Sequence, residues 1–494
     1  MLKSKYDGAI TVFSSLLFLM IFTLIAVSLE SAHQTGVRVG ACFALNAGLD
    51  SLFSNYDADL YEDYGVLFLN EGMLESDADD LISEYMRYGA GVSFAGDTFT
   101  RFDVDNVSTA ENYYATDDNG IFFRREVLEL MKVNEVTNLL NTIKTYVEQA
   151  ANGQAAAQYI EECKDDYENV DWEEKAKELG IDFGGEEEAQ EETPDIDAKV
   201  DESLSDSIIT QATNLLAGAS LALYIRDQSD VSPAAKNLTV EFTKDHDIEE
   251  NVGFIRTEAE ELLFDEYVLD NFNSYTNEKD GSGIKYEAEY VIGGAQSDKQ
   301  NLAIVLNEIM GIRMGLNIAY LLAHTDCLSQ ATATATALVG WTGIPVLIQV
   351  VMVLLIGAWA FCEAVLDVRA LIAGDKVAFV KSRATWTTTL AGCVGDVLNF
   401  KKATPSKYGV DYKMYLRILL FLNQTDAKTL RTMQIIEWNM RSKDATFTLS
   451  KCIYAVEVTA TITVEPVFSS ILEGFGRSGD YGGYSYRIRG SNIY

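Results

Sequence analysis

A run of uncharged residues near the start of the chain constrains the fold more than any other feature. It spans Gly8–Leu29 and has the sequence GAITVFSSLLFLMIFTLIAVSL. At about 1.5 Å per residue, a helix of this length covers a hydrocarbon core of roughly 30 Å. Lys3 and Lys5 precede the run and Glu30 follows it, so the positive-inside rule predicts a cytoplasmic tail at residues 1–7 and an extracellular body. The run exceeds a usual signal-peptide core and no small-x-small site precedes Glu30, which favours a retained transmembrane helix over a cleaved signal.

The helical pattern continues beyond this segment. Leu45, Leu49 and Leu52 recur at the three- and four-residue spacing of one helix face. We therefore expect one long helix that leaves the membrane and packs on a first extracellular lobe, residues 30–160.

Three features mark this entry segment. Gly8 precedes the apolar run, the motif Ser28-Leu29-Glu30-Ser31-Ala32 ends it, and a strand is predicted at Tyr64–Leu69. Together they resemble the TadE/TadG family of Tad (Flp) pilus minor subunits. The resemblance implies a pilin-like helix that contacts partner helices, and it makes Gly8 the candidate processing site. Phe13 stands where processed pilin-like proteins carry a glutamate.

The formal net charge of −37 limits the partners of the body. It excludes unassisted nucleic-acid binding and disfavours close approach of most of the surface to anionic lipid headgroups. Acidic residues concentrate at 161–202, which is too poor in apolar side chains to bury a core, and we interpret this segment as a linker or insertion. Calcium binding there is disfavoured because the segment lacks the D-x-[DN]-x-[DN]-G spacing of an EF loop.

Residues 203–468 are predicted to form the main domain, in which helices and strands are interleaved. The clearest helices begin at Thr257 and Gln300. Strands are predicted from three positions of alternating polarity, namely Leu238, Lys285 and Phe447. We therefore predict an α+β fold, in which a long membrane-anchored N-terminal helix packs on a mixed or antiparallel sheet surrounded by helices. A Gly/Tyr-rich tail is expected at 469–494.

An apolar helix at 338–361 has two interpretations that the sequence leaves open. No charge occurs from Leu328 to Cys362, and tryptophans flank the most apolar part, as expected of a second membrane span. Pro345 interrupts the run, however, and a span would separate the strand at Phe447 from its expected neighbours at Leu238 and Lys285. These objections favour a buried helix. The mildly basic chain that follows favours a second crossing.

The charged side chains that end this apolar helix are the leading site candidates. Glu363, Asp367 and Arg369 must be paired or hydrogen-bonded if they are buried. We predict a structural charge cluster, in which an Asp367–Arg369 neighbourhood ties the helix to the sheet. A second, acidic group consists of Asp57, Asp59, Glu62 and Asp63. It is interpreted as a solvated helix face rather than a cation site, because its members fan out around the helix axis.

The sequence lacks the motifs of common enzyme and cofactor sites. His33, His246 and His324 are isolated, and GFGRSG lies in the tail rather than between a strand and a helix. The six cysteines are scattered singly, so we expect small core residues, with a Cys393–Cys452 disulfide as the alternative. We expect no enzymatic activity, no cofactor and no bound metal.

Longer stretches carry a wider resemblance. They are GAITVF, SLESAH, YEDYGVLFLN, KYEAEYVIGG, SDKQNL and WAFCEAVLDVRALIAGDKVAFVK. These look like a family from Gram-positive anaerobes that is catalogued as a domain of unknown function and found beside Tad-type pilus genes. The resemblance implies a membrane-anchored extracellular structural protein, a minor-pilin-like or accessory component of a Tad-type pilus or surface assembly, with protein partners. The alternatives are a surface receptor or adhesin, and an extracellular enzyme of unrecognised type.

Overall fold

The computed structural model describes residues 3–91, 101–132, 137–168, 221–235, 257–278, 284–423, 426–468 and 483–494. The chain forms two compact units. Unit 1 comprises Met1–Leu130, Glu241–Val252 and Met440–Tyr494, and unit 2 comprises Met131–Val240 and Gly253–Asn439. The predicted acidic segment lies outside the described residues from position 169 onward, as does the strand predicted at Leu238. The units are interleaved along the chain and do not follow the boundaries predicted at 160 and 203.

Unit 1 combines helices with a small sheet. Its helices are α1 (Lys3–Phe53), α2 (Ala58–Tyr64), α3 (Glu71–Gly91) and most of α4 (Asp117–Met131). Its strands are β1 (Leu69–Asn70), β2 (Asp103–Tyr114), β3 (Cys452–Val464) and β4 (Tyr484–Ile493). β3 pairs with each of the other three strands, always antiparallel. The predicted α+β class is confirmed, with an antiparallel sheet.

The long N-terminal helix is also confirmed. α1 runs without interruption from the apolar segment into the core of unit 1. Its window near the N-terminus has a mean hydropathy of 2.6 and is only 6% buried, so its length and composition suit a membrane span. Further along α1, one face is buried with Val456 and Ile462 of β3; its core residues include Val37, Ala41, Leu45, Leu49 and Leu52.

The strand predicted from Phe447 is present as β3, but its neighbours differ from those predicted. It pairs with β2 and β4 along most of its length, and with β1 at Cys452 and Ile453. The strand predicted at Tyr64–Leu69 is wrong for most of its length, because α2 occupies its first residue and only Leu69 joins a strand. The end of the predicted tail forms β4, and the Tyr494 hydroxyl donates to the Phe53 carbonyl at 2.6 Å.

The described part of unit 2 is built mainly of helices. They are α5 (Thr137–Glu168), α6 (Glu258–Asn271), α7 (Glu287–Gly293), α8 (Asp298–Ala323), α9 (Thr325–Val339), α10 (Pro345–Ile372), α11 (Cys393–Leu398), α12 (Tyr412–Leu422) and most of α13 (Asp426–Lys443). α8 packs on α5 and on α10. α5 and α8 approach closely where Gly153 meets Gly315, since a Cβ on Gly315 would lie 2.7 Å from the Gly153 carbonyl carbon.

The strand predicted at Lys285 is wrong, because these residues form α7. Tyr286, Ala288 and Tyr290 alternate with Glu287 and Glu289, which imitates a half-buried strand. In the structure Glu287 and Glu289 are buried as well, so the helix is covered all round. Gly294, with a φ of +66°, ends the helix in the left-handed conformation.

The predicted apolar helix at 338–361 is divided between two helices. Pro345 occupies the first turn of α10, where proline is well tolerated, so it starts a helix rather than interrupting one. Trp359 is buried and its indole N–H donates to the Thr388 hydroxyl at 2.9 Å. By length and composition, α8 and α10 join α1 as helices that are able to cross a membrane, with 56% of each apolar window buried in protein.

Candidate functional site

The part of α1 beyond the membrane segment has an exposed apolar face opposite its buried one. Val39 and Phe43 are exposed there, and the Phe43 side chain is 71% accessible. Ala32 and Gly36 continue the same face and are also exposed. Apolar side chains so open to water are typical of a contact surface rather than of a free helix face.

This face follows a regular repeat that begins inside the membrane segment. We call it the stem stripe, and its members are Phe18, Phe22, Ile25, Leu29, Ala32, Gly36, Val39 and Phe43. The intervals alternate between four and three residues, which is the a and d spacing of a helix that packs along a second helix. A Cβ placed on Gly36 would meet nothing within 4 Å, so the stripe has open space where a partner backbone is able to approach.

Glu30 fixes α1 at the point where the apolar run ends. Its carboxylate is buried and accepts the backbone N–H groups of Val467 at 3.2 Å and Phe468 at 2.6 Å. The His33 imidazole lies 3.7 Å from the same carboxylate. A buried carboxylate needs such donors. Glu30 therefore connects the end of the apolar run to the chain that follows β3.

The predicted charge cluster is part of a larger buried network. Asp367 accepts from the Arg313 guanidinium at 2.8 and 3.0 Å, and its other oxygen lies 2.7 Å from the Lys381 ammonium. That ammonium also donates to Glu363 at 2.7 Å. All four charged groups are buried, so two cations and two anions balance one another away from water.

The network connects several segments of unit 2. The Glu363 carboxylate also accepts the backbone N–H groups of Thr387 at 3.0 Å and Thr388 at 2.8 Å. The Arg313 guanidinium donates further to the Phe379 carbonyl and the Tyr415 hydroxyl. These hydrogen bonds hold the charged side chains against the backbone and side chains of unit 2, which suits a structural role for the cluster.

Arg369 does not join the carboxylates that surround Asp367. Its guanidinium donates to the Leu223 carbonyl at 2.7 and 2.9 Å and to the Val397 carbonyl at 2.9 Å, and it stacks on the Phe400 ring at 3.8 Å. The prediction that Asp367 and Arg369 lie together and connect the helix to the sheet is therefore wrong. Sequence reasoning missed Arg313 and Lys381, although an arginine within the apolar pattern of α8 was a usable signal.

Another buried carboxylate, Glu289 of α7, was not predicted. It accepts the backbone N–H of Tyr275 at 2.9 Å and the hydroxyl of Tyr412 at 2.8 Å through one oxygen. Its second oxygen has no hydrogen-bond partner among the described residues. Loss of hydration on burial raises the pKa of Glu289 to about 7, despite these two donors. The same cause, with the adjacent Glu289, raises the pKa of Tyr412.

The other candidate residues have local structural partners. Asp57 caps α2 by accepting the Leu60 N–H at 3.0 Å, and Asp63 pairs with Lys443 at 2.7 Å. Cys393 and Cys452 are buried thiols rather than a disulfide. Gly8 lies in the first turns of α1.

Two further sequence features fall outside the part of the chain that the structure describes. They are His246 and the GFGRSG motif. Within the described ranges, no group of three or more His, Cys, Asp or Glu side chains is placed to hold a metal ion.

Comparison with known proteins supplies the family. No curated protein and no solved structure matches the chain significantly. A family model, described as a family of unknown function (DUF5702), matches residues 198–464, more than half of the chain. The match covers most of unit 2 together with β3, the central strand of unit 1. This chain is therefore a member of the DUF5702 family.

Proposed function

We propose that this chain is a membrane-anchored, non-catalytic structural component of a surface assembly. More specifically, we propose a minor-pilin-like or accessory subunit of a Tad-type pilus. In this proposal the N-terminus is cytoplasmic, the bulk is extracellular, and the stem stripe binds helices of partner subunits. The TadE/TadG-like motifs of the entry segment support the choice of assembly.

The observation that carries the proposal is the continuity of the stem stripe across the end of the membrane segment. Inside lipid, exposed apolar side chains need no partner, because the surrounding acyl chains are equally apolar. Beyond Glu30 the same repeat continues through Val39 and Phe43, which are exposed outside the proposed bilayer. A second helix packed along the stripe would cover these side chains in both environments.

The small residues in the middle of the stripe support helix pairing rather than another kind of contact. Ala32 and Gly36 lie one turn apart, with larger apolar side chains on either side. Such a spacing lets two helix backbones approach closely while the larger residues interlock. The net charge of −37 also supports contacts through the stem. Acidic bodies of neighbouring subunits repel one another, so contacts between subunits should be confined to the stem helices.

Site-specific photo-crosslinking in intact cells tests the proposal. A crosslinking amino acid at Phe43 should capture another membrane-anchored subunit, whereas the same group at Tyr61 of α2, which is also exposed and follows the end of α1, should not. Crosslinked products that are the same from both positions, or absent from both, would contradict a partner on the stem stripe.

A matched pair of substitutions tests the consequence for the assembly. Phe43→Lys places a charge on the stripe, and Tyr61→Lys places one at an exposed site on α2, beyond the end of α1. Only the first should reduce surface fibres and the co-purification of pilus subunits. Deleting the gene should have the larger effect. Unchanged surface fibres after deletion, together with no pilus subunits co-purifying with the intact protein, would defeat the proposal.

A further inference from the structure

The helical hairpin formed by α9 and the first half of α10 is unusually apolar for a surface of this chain. We call residues 327–351 the apolar hairpin. No charged residue occurs in it, although the chain as a whole carries a net charge of −37. Its two helices are joined through Gly340–Ile344 and pack together; the packed residues include Ala335, Leu338, Leu347, Val351 and Leu355.

The tip of the apolar hairpin is open to its surroundings. Trp341 is 80% exposed and Val346 is exposed beside it. The outer face of α9 presents alternating small residues, including Thr332, Ala333 and Thr336, which line a shallow groove. A large tryptophan at the tip of an uncharged hairpin suits contact with lipid, because its ring is mostly apolar and its N–H is satisfied within the protein.

The hydroxyl groups and the indole N–H of the apolar hairpin are satisfied without water, whereas the side-chain amides of Gln330 and Gln349 are exposed. Four hydroxyls of α9 donate to carbonyls one turn earlier, at 2.7 to 2.9 Å; they belong to Ser329, Thr332, Thr334 and Thr336. The Trp341 indole N–H donates to the Leu338 carbonyl at 3.0 Å, and the Thr342 hydroxyl to the Val339 carbonyl at 2.6 Å. Lipid supplies no hydrogen-bond partners, so internal satisfaction of this kind is what immersion in acyl chains requires.

The length of the hairpin defines how far it reaches. Asp326 pairs with Arg383 at 2.8 Å at its base, and both side chains are open to solvent. From Cys327 to Gly340 a helix extends about 21 Å, which is less than the roughly 30 Å of a hydrocarbon core. The hairpin is therefore long enough to enter a bilayer and too short to cross it.

The sheet of unit 1 limits the number of crossings. β2 and β3 pair along their length, so Tyr114 and Cys452 lie on the same side of any membrane. The chain between them must cross an even number of times. A single crossing by α10 is excluded, whereas a hairpin that enters and leaves on one side satisfies the condition.

We infer that the apolar hairpin is a second membrane contact, which dips into the bilayer and returns to the side from which it entered. Trp341 lies among the lipids. The charged network around Asp367 stays inside protein, since the second half of α10 is buried by its neighbours. The inference concerns unit 2 and does not depend on the stem stripe or its partners.

Quenching of Trp341 fluorescence by brominated lipids tests this inference. The full-length chain is reconstituted in phosphatidylcholine vesicles with or without bromine on the acyl chains, and the W341F spectrum is subtracted to isolate Trp341. Trp359 is buried and Trp386 is half-buried, and the emission that remains in W341F, to which Trp172 and Trp438 also contribute, serves as the internal reference. We expect brominated lipid to remove most of the Trp341 emission while aqueous iodide has little effect.

A pair of charge substitutions supplies the matched control. Val346→Lys places an ammonium beside Trp341, and Leu398→Lys places one at an exposed site on α11. Only the first should reduce quenching by brominated lipid, while the emission of the other four tryptophans shows that both variants are folded. Quenching of Trp341 by iodide but not by bromine would overturn the inference. Protection from both quenchers would also overturn it, because a protein partner or a second copy would then cover the hairpin.

Discussion

Replacing Asp367 with asparagine tests whether the buried charge network stabilises unit 2. Asp367 has Arg313 and Lys381 as cationic partners and also accepts from the Asn317 amide at 3.2 Å. Asparagine has nearly the same volume, so the substitution leaves no cavity. It removes one negative charge, after which two buried cations share only the Glu363 carboxylate.

The expected cost follows from burial. Removing one partner of a fully buried ion pair destabilises a protein by about 3–5 kcal/mol, because the remaining charge is uncompensated in a medium of low polarity. The control is Asp326→Asn, which breaks the pair with Arg383, whose side chains are 46% and 87% exposed. That pair should contribute about 0–1 kcal/mol.

A double substitution separates charge balance from other effects. Lys381→Met combined with Asp367→Asn restores one cation and one anion, and Glu363 keeps the N–H donors of Thr387 and Thr388. We expect the double variant to lose less stability than the sum of the two single variants, by about 0.5–3 kcal/mol.

Denaturant unfolding of the full-length chain in detergent measures these differences. Tryptophan emission follows unfolding, and Trp359 contributes to it from the network itself, because Thr388 accepts from Trp359 and donates its N–H to Glu363. Equal losses for Asp367→Asn and Asp326→Asn would refute the reasoning, and so would strict additivity in the double variant.

Further predictions concern backbone packing, pH and the membrane boundary. Gly315→Ala should destabilise unit 2 by about 1–3 kcal/mol in the same unfolding assay, because the new Cβ would meet the backbone of Gly153. Gly311→Ala on the same helix has open space around its Cβ, so it should instead stabilise unit 2 by up to about 1 kcal/mol. Glu289 holds its proton more tightly in the folded state than in the unfolded state. The free energy of unfolding should therefore fall by about 3 kcal/mol as the pH rises from 4.5 to about 7. Glu289→Gln should make the free energy of unfolding depend less on pH in a denaturation series over this range. Glu30→Gln should speed amide hydrogen exchange at Phe468, and unchanged exchange would show that the N–H groups do not depend on the charge. A C-terminal tag should be digested by protease on intact cells, because Tyr494 contacts Phe53 beyond the membrane segment, and protection of the tag would contradict the even number of crossings.

Local patterns in the sequence predicted the helices that carry their own signals. The helix expected at Thr257 is capped as its sequence indicates, since Thr257 accepts the Glu260 N–H and Glu260 accepts the Thr257 N–H. β3 was predicted because its alternation extends over many residues. α7 was predicted wrongly, because Glu287 and Glu289 are buried to receive the N–H groups of Asn273 and Tyr275, and period alone does not reveal such partners.

The apolar entry helix, its continuation as a stem, and the need to pair the charges within an apolar helix could all be predicted before the fold was known. These properties depend on residues that are close together along the chain. The pairing of β3 with β2 and β4 became known only from the folded structure. The same is true of the partners of two charged residues: Asp367 binds Arg313 and Lys381, while Arg369 binds backbone carbonyls. These partners are far apart along the chain and are brought together by packing between distant segments. Because the sequence contains many residues of suitable charge or polarity, it does not show which of them will pair.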